Sequence, residues 1–344
     1  MTDGRLDTSR LQNMARAYTE TAVLWAAIDV GLFSAIAEGA HDETAVAEAI
    51  GVSVLDAERL VVCCLTLDLI RHVDDRLVNA PDVQRYLVAG EPRYAGAWMT
   101  FTRRDVPEWF RIAELMKGDA EPTLLGMYDG LTVEAARKYH RATYSVGMGA
   151  GRRFVREVDL TGRTKMLDIG GGSGAYSINV VQVHSEMTAV VFDLPPVAEV
   201  AVEFFEQNGV ADRVAAVGGD FTADPFPTDC DVAVMASNLP IYDASVIGSV
   251  IKKANDALLD GGEMHLIGEM LDDDRTGPAD AAMWGMNELM YGGRGRAHAI
   301  GECIGYFDDA GFVDIAVTDF VPGVLKRVSG RKVQDLTTST VVNS

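Results

Sequence analysis

The sequence predicts an α/β protein: a doubly wound, mostly parallel sheet preceded by a helical domain of winged-helix outline. Three observations carry this. Residues 165–320 alternate short β-rich runs with helical stretches, the pattern of a sheet with crossover helices. One of those runs leads into a glycine-rich turn, Gly170-Gly-Gly-Ser-Gly174. The first hundred residues show helical spacing and no such alternation. A chain of 344 residues fits two domains at about 150 residues each. We place them at 1–105 and 106–344.

In the first part, Thr19 to Ala37 carries Ala22, Leu24, Trp25, Ile28, Leu32, Phe33 and Ile36 on a wide apolar face. Gly31 falls late in that run and breaks it into two helices. The segment His41 to Ile50 reads as a further helix with Gly51 as its C-cap. Another follows Ser53, with Leu60, Val61, Cys64, Leu65 and Leu67 facing inward. Ile70 to Leu77, interrupted by Asp74-Asp75-Arg76, reads as a short hairpin. This outline has two readings, DNA binding and helical packing or dimerisation. The helix after Ser53 carries Asp56, Glu58 and Arg59 but no basic stripe, which argues against DNA.

In the second part, strands are expected at Lys165–Ile169, Ala189–Phe192, Val214–Val217, Val232–Met235 and Met264–Ile267. Helices are expected at Pro196–Asn208 and Ala244–Leu259. In such sheets ligands bind at the carboxyl ends of the strands, near the point where strand order reverses.

Composition narrows the function. Hydrophobic residues at 48% and charged residues at 24% exclude a disordered or fibrous chain. A net charge of −21 repels phosphate backbones, so no nucleic-acid partner is expected. No apolar run approaches the roughly 18–20 residues of a bilayer span, and Met1 to Gln12 is polar, so neither membrane nor signal peptide is expected. Cys63, Cys64, Cys230 and Cys303 are scattered without a CxxC, which suits free thiols in a reducing cytoplasm and no metal site.

The glycine turn carries the chemistry. Its glycines allow a tight turn and close approach of a ligand. A dinucleotide site uses a similar loop, but here Ala175 stands at the last glycine of that pattern. Asp168 also lies in the strand just before the turn, unwelcome to a pyrophosphate but welcome to an ammonium group. Asp193 ends the next strand, where an acid can accept bonds from both hydroxyls of a ribose. Asp220 ends the following one, where it can accept from an adenine amine, with Phe221 against the ring. Singly, each acid also suits a strand-end turn for backbone reasons. Three in succession around one glycine turn point to a cofactor site.

With these residues in order, the chain resembles the class I S-adenosylmethionine-dependent methyltransferases, specifically the small-molecule O-methyltransferases of plants and of bacterial secondary metabolism. The motifs are Leu167-Asp-Ile-Gly-Gly-Gly-Ser-Gly174, Phe192-Asp-Leu-Pro195, Gly219-Asp-Phe221, Gly261-Gly262 and Ala310-Gly-Phe312. The resemblance covers nearly the whole chain. It implies a Rossmann-like methyltransferase fold, S-adenosyl-L-methionine as cofactor, a small aromatic substrate, and a homodimer built through the helical N-terminal part. It also implies that Gly170 and Gly172 pass the methionine end of the cofactor. Asp193 would hold the ribose, Leu194 would pack on the adenine, Asp220 and Phe221 would position that ring, and Ser237 would line the pocket.

The sequence departs from the family where the general base is expected. Plant-type members carry His-Asp-Trp after the fourth strand; here Pro240 takes the His position and Tyr242 the Trp position. Of the flanking acids, Glu269 survives and the other is lost near Gly295 or Ala297. Among six histidines, His298 is the candidate replacement base, with Glu269 beside it. His140 is expected in a helix that closes over the cofactor, and His265 within a strand. Met283, Met286, Asn287 and Met290 share a helical face beside Trp284 and Tyr291, an adaptable wall for an aromatic ring or plain core packing. Loss of the base shifts the expected chemistry toward ring-carbon methylation or O-methylation by positioning alone. Two rivals stand beside this: a family relative performing hydroxylation, decarboxylation or cyclisation, and a winged-helix regulator.

Overall fold

The computed structural model describes residues 6–124 and 130–334, and the chain divides into two compact units, 1–103 and 104–344.

Unit one begins with helices Ser9–Arg16, Tyr18–Asp29, Leu32–Ala37, Glu43–Ile50 and Val54–Thr66. Gly31 separates the second and third with φ +76°, and Gly51 caps the fourth with φ +72°, both left-handed positions that glycine takes without steric cost. Asp42 and Ser53 cap the N-termini of the fourth and fifth helices by accepting from Ala45 N and Asp56 N. An antiparallel hairpin follows, β1 (Ile70–Val73) with β2 (Arg76–Asn79). Leu32, Phe33, Val46, Val61, Cys64, Ile70 and Leu77 form its core. The helix Tyr18–Asp29 buries Ala27 fully, while Val23 and Leu24 are only half-buried and Ala22 is exposed. Its predicted apolar face is thus only partly covered within the chain.

Unit two holds a seven-stranded sheet: β3 (Lys165–Ile169), β4 (Thr188–Asp193), β5 (Val214–Gly218), β6 (Cys230–Ala236), β7 (Leu258–Gly268), and, after a short pair β8 (Met270–Leu271) and β9 (His298–Ala299), β10 (Phe312–Val321) and β11 (Leu325–Lys332). The order is β10-β11-β7-β6-β3-β4-β5. The pairs from β7 to β5 are parallel, and β11 runs antiparallel to both neighbours. The chain builds outward from β3 through β4 to β5, then crosses back to place β6 on the other side of β3. That reversal opens a crevice at the carboxyl ends of β3 and β6.

Alternation along β3 sends its side chains to both faces. Met166 joins Phe154, Val191 and Phe205 on one side, while Leu167 and Ile169 join Phe192, Met235, Ile247 and Phe307 on the other. Asp231 pins the start of β3, its carboxylate accepting from Thr164 N at 2.7 Å, Thr164 Oγ1 at 2.9 Å and Lys165 N at 3.0 Å. Long helices Val133–Glu157, Ala175–Val183 and Pro195–Gln207 cover one face, and Ala244–Ala257 and Ile300–Asp309 the other. No helix among the described residues is long and apolar enough to cross a membrane.

Gly174 ends the turn after β3 with φ +72°, and a Cβ there would lie 2.5 Å from Phe205 Cε1 and 3.1 Å from Val191 Cγ2. Gly174→Ala therefore combines a left-handed alanine with a core clash. We expect a loss of about 2–4 kcal/mol in urea unfolding; an unchanged midpoint would show that the turn tolerates a side chain.

Candidate functional site

Five parallel strands deliver their carboxyl-end residues to one crevice. Asp168, next to last in β3, is 1% exposed, and Ser177 Oγ donates to its Oδ2 at 2.8 Å. Burial pushes its carboxyl up to about 6, despite that bond. Asp193 ends β4 and is buried as well. It accepts from Gly172 N at 2.8 Å and Leu194 N at 2.7 Å, yet burial still holds it at about 6. Glu269 follows β7; burial, with a smaller push from Asp280, raises it to about 7. Among the described residues none of these three carboxylates makes an ion pair. The crevice thus holds excess negative charge in a poor dielectric, an arrangement that favours a positively charged ligand.

The glycine turn leaves no room for side chains. A Cβ on Gly172 would sit 2.6 Å from His140 Cε1, and one on Gly170 would sit 2.6 Å from Asn238 Nδ2 and 3.0 Å from Phe221 Cε1. Asn238 Nδ2 donates to Gly170 O at 3.3 Å and Ala236 O at 3.0 Å, tying the turn to the end of β6. Phe221 is buried and meets Tyr242 edge to face at 5.2 Å. Below it, Lys253 Nζ donates to Phe221 O and Asp224 O, both at 2.7 Å. Asp220 is exposed; its Oδ1 accepts from Thr222 N and Thr222 Oγ1, and its N donates to Asp224. Leu194 is half-buried at the start of the Pro195 helix.

Over the turn lies the helix Val133–Glu157, capped by Thr132. Its His140 is buried against Gly172, and burial pushes the imidazole down to about 4, so it stands neutral. Tyr139, next to it, is pushed up to about 12 by burial, with Tyr291, Asp193 and Glu269 adding to the rise. Arg104, Leu131, Ala136, Tyr139, His140 and Val197 line a cavity of about 90 Å³.

Three expectations change. His298 is fully buried, with Nδ1 2.9 Å from Tyr306 Oη and Nε2 2.9 Å from the Tyr242 carbonyl. Both ring nitrogens are engaged, and burial lowers its affinity for a proton, so the imidazole braces Tyr242 and Tyr306 rather than serving as a base. The methionine wall divides: Met283 and Met286 are exposed, Trp284 half-buried, Asn287 and Met290 buried. Within the helix Ala279–Asn287 it is Ala281 and Asn287 that pack inward while Met283 and Met286 face outward, and only Met290 lies in the 3₁₀ turn Glu288–Tyr291 that follows. Ser237 is exposed with φ +60°, and it is Asn238 that turns inward. His265 lies in β7 as expected, 3.6 Å from Glu263.

Two residues were missed. Asn238 carried no motif. Glu288, at 6% exposure, is a buried carboxyl that burial lifts to about 7, and an acid inside the apolar run Met283–Tyr291 was its signal.

Residues 128–313 match the O-methyltransferase domain family. A 3-hydroxy-5-methyl-1-naphthoate 3-O-methyltransferase of Streptomyces sahachiroi is 32% identical over 327 residues, 94% of each chain. The tetracenomycin polyketide synthesis 8-O-methyl transferase of Streptomyces glaucescens is 27% identical over 310 residues, 89% of this chain and 91% of that one. In fold, the crystal structure of human N-acetylserotonin methyltransferase superposes with a TM-score of 0.79 at 21% identity, covering 97% of this chain and 100% of that one. The chain belongs to the S-adenosylmethionine-dependent O-methyltransferase family. It is a methyltransferase that uses S-adenosyl-L-methionine.

His298→Ala should leave the Tyr306 hydroxyl and Tyr242 carbonyl unpaired in the interior. We expect a loss of about 1–3 kcal/mol in denaturant unfolding, with S-adenosylhomocysteine affinity by calorimetry unchanged. A variant of wild-type stability would overturn the bracing role.

Proposed function

We propose that this enzyme methylates a hydroxyl, or the adjoining ring carbon, of a small aromatic secondary metabolite. The observation that carries the reading is the pair of buried carboxylates at the glycine turn, Asp168 and Asp193, without ion-pair partners, with half-buried Glu269 just past β7. When bound, S-adenosylmethionine supplies an activated methyl group on a sulfonium, and it also carries an ammonium. The residues fit it: Asp168 faces the ammonium end, and Gly170 and Gly172 let the backbone approach. Asp193 and Leu194 take the ribose and adenine, with Asp220, Phe221 and the neighbourhood of Ser237 and Asn238 completing the adenosine side. His140, Tyr242, Trp284 and Asn287 border the acceptor, with exposed Met283 at its margin. The fused-ring substrate named for the Streptomyces sahachiroi relative supports an aromatic acceptor of that size.

In this reading Glu269 takes the place of the missing histidine. A carboxyl raised to about 7 is partly ionised near neutrality and can receive a phenol proton. Orientation of the acceptor supplies the rest of the acceleration. Pro240, buried in the short turn after β6, stands where the family carries its base, so the proton must go elsewhere.

We assign residues 1–105 to a winged-helix-like dimerisation domain and 106–344 to the cofactor domain, in a cytoplasmic homodimer. Exposed Leu11 and Met14 and the half-covered Tyr18–Asp29 helix support that interface. Sedimentation velocity tests it against a 37.1 kDa monomer.

Asp168 and Asp193 have raised proton affinity in the free protein, and an ammonium beside Asp168 and ribose hydroxyls donating to Asp193 would both lower it. Binding of S-adenosylmethionine should therefore release protons, and its affinity should rise as pH climbs through about 6. Calorimetry from pH 5 to 8, in two buffers of different ionisation enthalpy, reads both; affinity independent of pH would contradict the charge argument.

With methyl-labelled cofactor and a panel of naphthols, the product should gain one methylene unit. The rate should rise through about pH 7, and Glu269→Gln should lower kcat by about 10²–10⁴-fold. A Glu269→Gln enzyme with wild-type kcat would remove the base assignment, and no methylated naphthol across the panel would overturn the proposed acceptor class.

A further inference from the structure

Glu288 is unusual among the acids of this chain. It is buried to 6% exposure, in the 3₁₀ turn Glu288–Tyr291. Its backbone carbonyl accepts from Gly293 N at 3.0 Å. Its carboxylate lies against Gly293, where an added Cβ would fall 2.5 Å from Oε2. Among the described residues the carboxylate has neither a hydrogen-bond donor nor an ion-pair partner, and burial alone accounts for its raised proton affinity. Other buried acids of this chain are held by donors: Glu108 by Arg111 and Thr123, Asp193 by two backbone amides.

Its surroundings point toward the acceptor side of the crevice. Glu288 touches Gly293, and two residues further on Gly295 is packed against the backbone of Ile241, where a Cβ would fall 2.5 Å from the Ile241 carbonyl oxygen, next to Tyr242. Tyr242 in turn meets Phe221, which lies beside Gly170. Contacts thus run from the glycine turn through Phe221 to Tyr242, and the segment that begins at Glu288 closes against the residue before Tyr242. Met290 and Asn287 are buried on either side of it in sequence. An acid left without a donor in an apolar wall costs stability, and such a cost persists where a ligand supplies the missing donor.

We propose that Glu288 is the polar anchor of the acceptor site, accepting a hydrogen bond from a hydroxyl of the aromatic substrate and so fixing which ring position faces the methyl group. This rests on the methyltransferase reading above and adds a substrate feature to it: the acceptor carries a hydrogen-bond donor at the ring edge that meets Glu288. Glu288 is a positioning group, distinct from Glu269 at the end of β7.

The test uses full-length protein with saturating S-adenosylhomocysteine and two probes of similar size, 2-naphthol and 2-methylnaphthalene, in fluorescence titrations. Wild type should prefer the naphthol by about tenfold or more, the value of one hydrogen bond to a buried carboxylate. Glu288→Gln keeps an acceptor oxygen and should retain a reduced preference, whereas Glu288→Leu should bind both probes alike. Because its carboxylate has no donor in the free protein, Glu288→Leu should melt no lower than wild type at pH 8. A wild type without preference for the naphthol, including one that binds neither probe, overturns the proposal. So does a Glu288→Leu protein that keeps the wild-type ratio, or one that melts below wild type, which would give the carboxylate a structural role. Failure of wild type to bind S-adenosylhomocysteine at all would instead overturn the reading beneath it.

Discussion

Negative charge held away from water organises the carboxyl end of this sheet. Asp168 and Asp193 sit on adjacent strands, β3 and β4, and Glu269 sits just past β7. Each is raised in proton affinity because the interior solvates an anion poorly. The protein supports them with few donors: one hydroxyl for Asp168 and two backbone amides for Asp193. Those donors are themselves products of the glycine turn. Gly172 presents its N–H to Asp193 because the turn curls back over β4, and Ser177 reaches Asp168 from the first turn of the helix that the glycines launch. The tight turn, the close helix and the anionic floor are therefore one construction.

Much of this was legible in the sequence because its causes are local. Strand alternation, the glycine turn and the acids at three strand ends follow from residue types at short spacing, and β3 to β7 fall where those patterns put them. Helix boundaries at Ser53 and Gly31 were readable for the same reason, through capping and left-handed backbone. What escaped depends on contacts between distant segments. His298 looked like a free imidazole in a glycine-rich loop, but Tyr242 lies 56 positions away and takes up Nε2. The methionine face was read on spacing alone, but which side of the helix Ala279–Asn287 turns inward is set by its packing on other segments, and that side carries Ala281 and Asn287 rather than Met283 and Met286. Asn238 carries no motif at all, and its importance comes from Gly170, 68 residues earlier in the chain.

The division of labour between segments has a consequence for how such an enzyme diversifies. The anionic floor belongs to β3, β4 and the end of β7, which the sheet's hydrogen-bonded register holds in place. A single excursion, residues 272–297, is inserted between β8 and β9 and rejoined to itself where Met270 pairs with His298 and Leu271 with Ala299; in the proposed function it supplies part of the acceptor wall, beside His140 and Tyr242. That pairing closes the excursion like a drawstring, so exposed positions within it, such as Met283 and Met286, can change side chain while the strands on either side keep their register. An acid at Glu288 or a methionine at Met283 is a local decision within that loop. A lineage can therefore exchange one aromatic ring for another by rewriting about two dozen residues, while the machinery that handles the methyl donor is inherited intact.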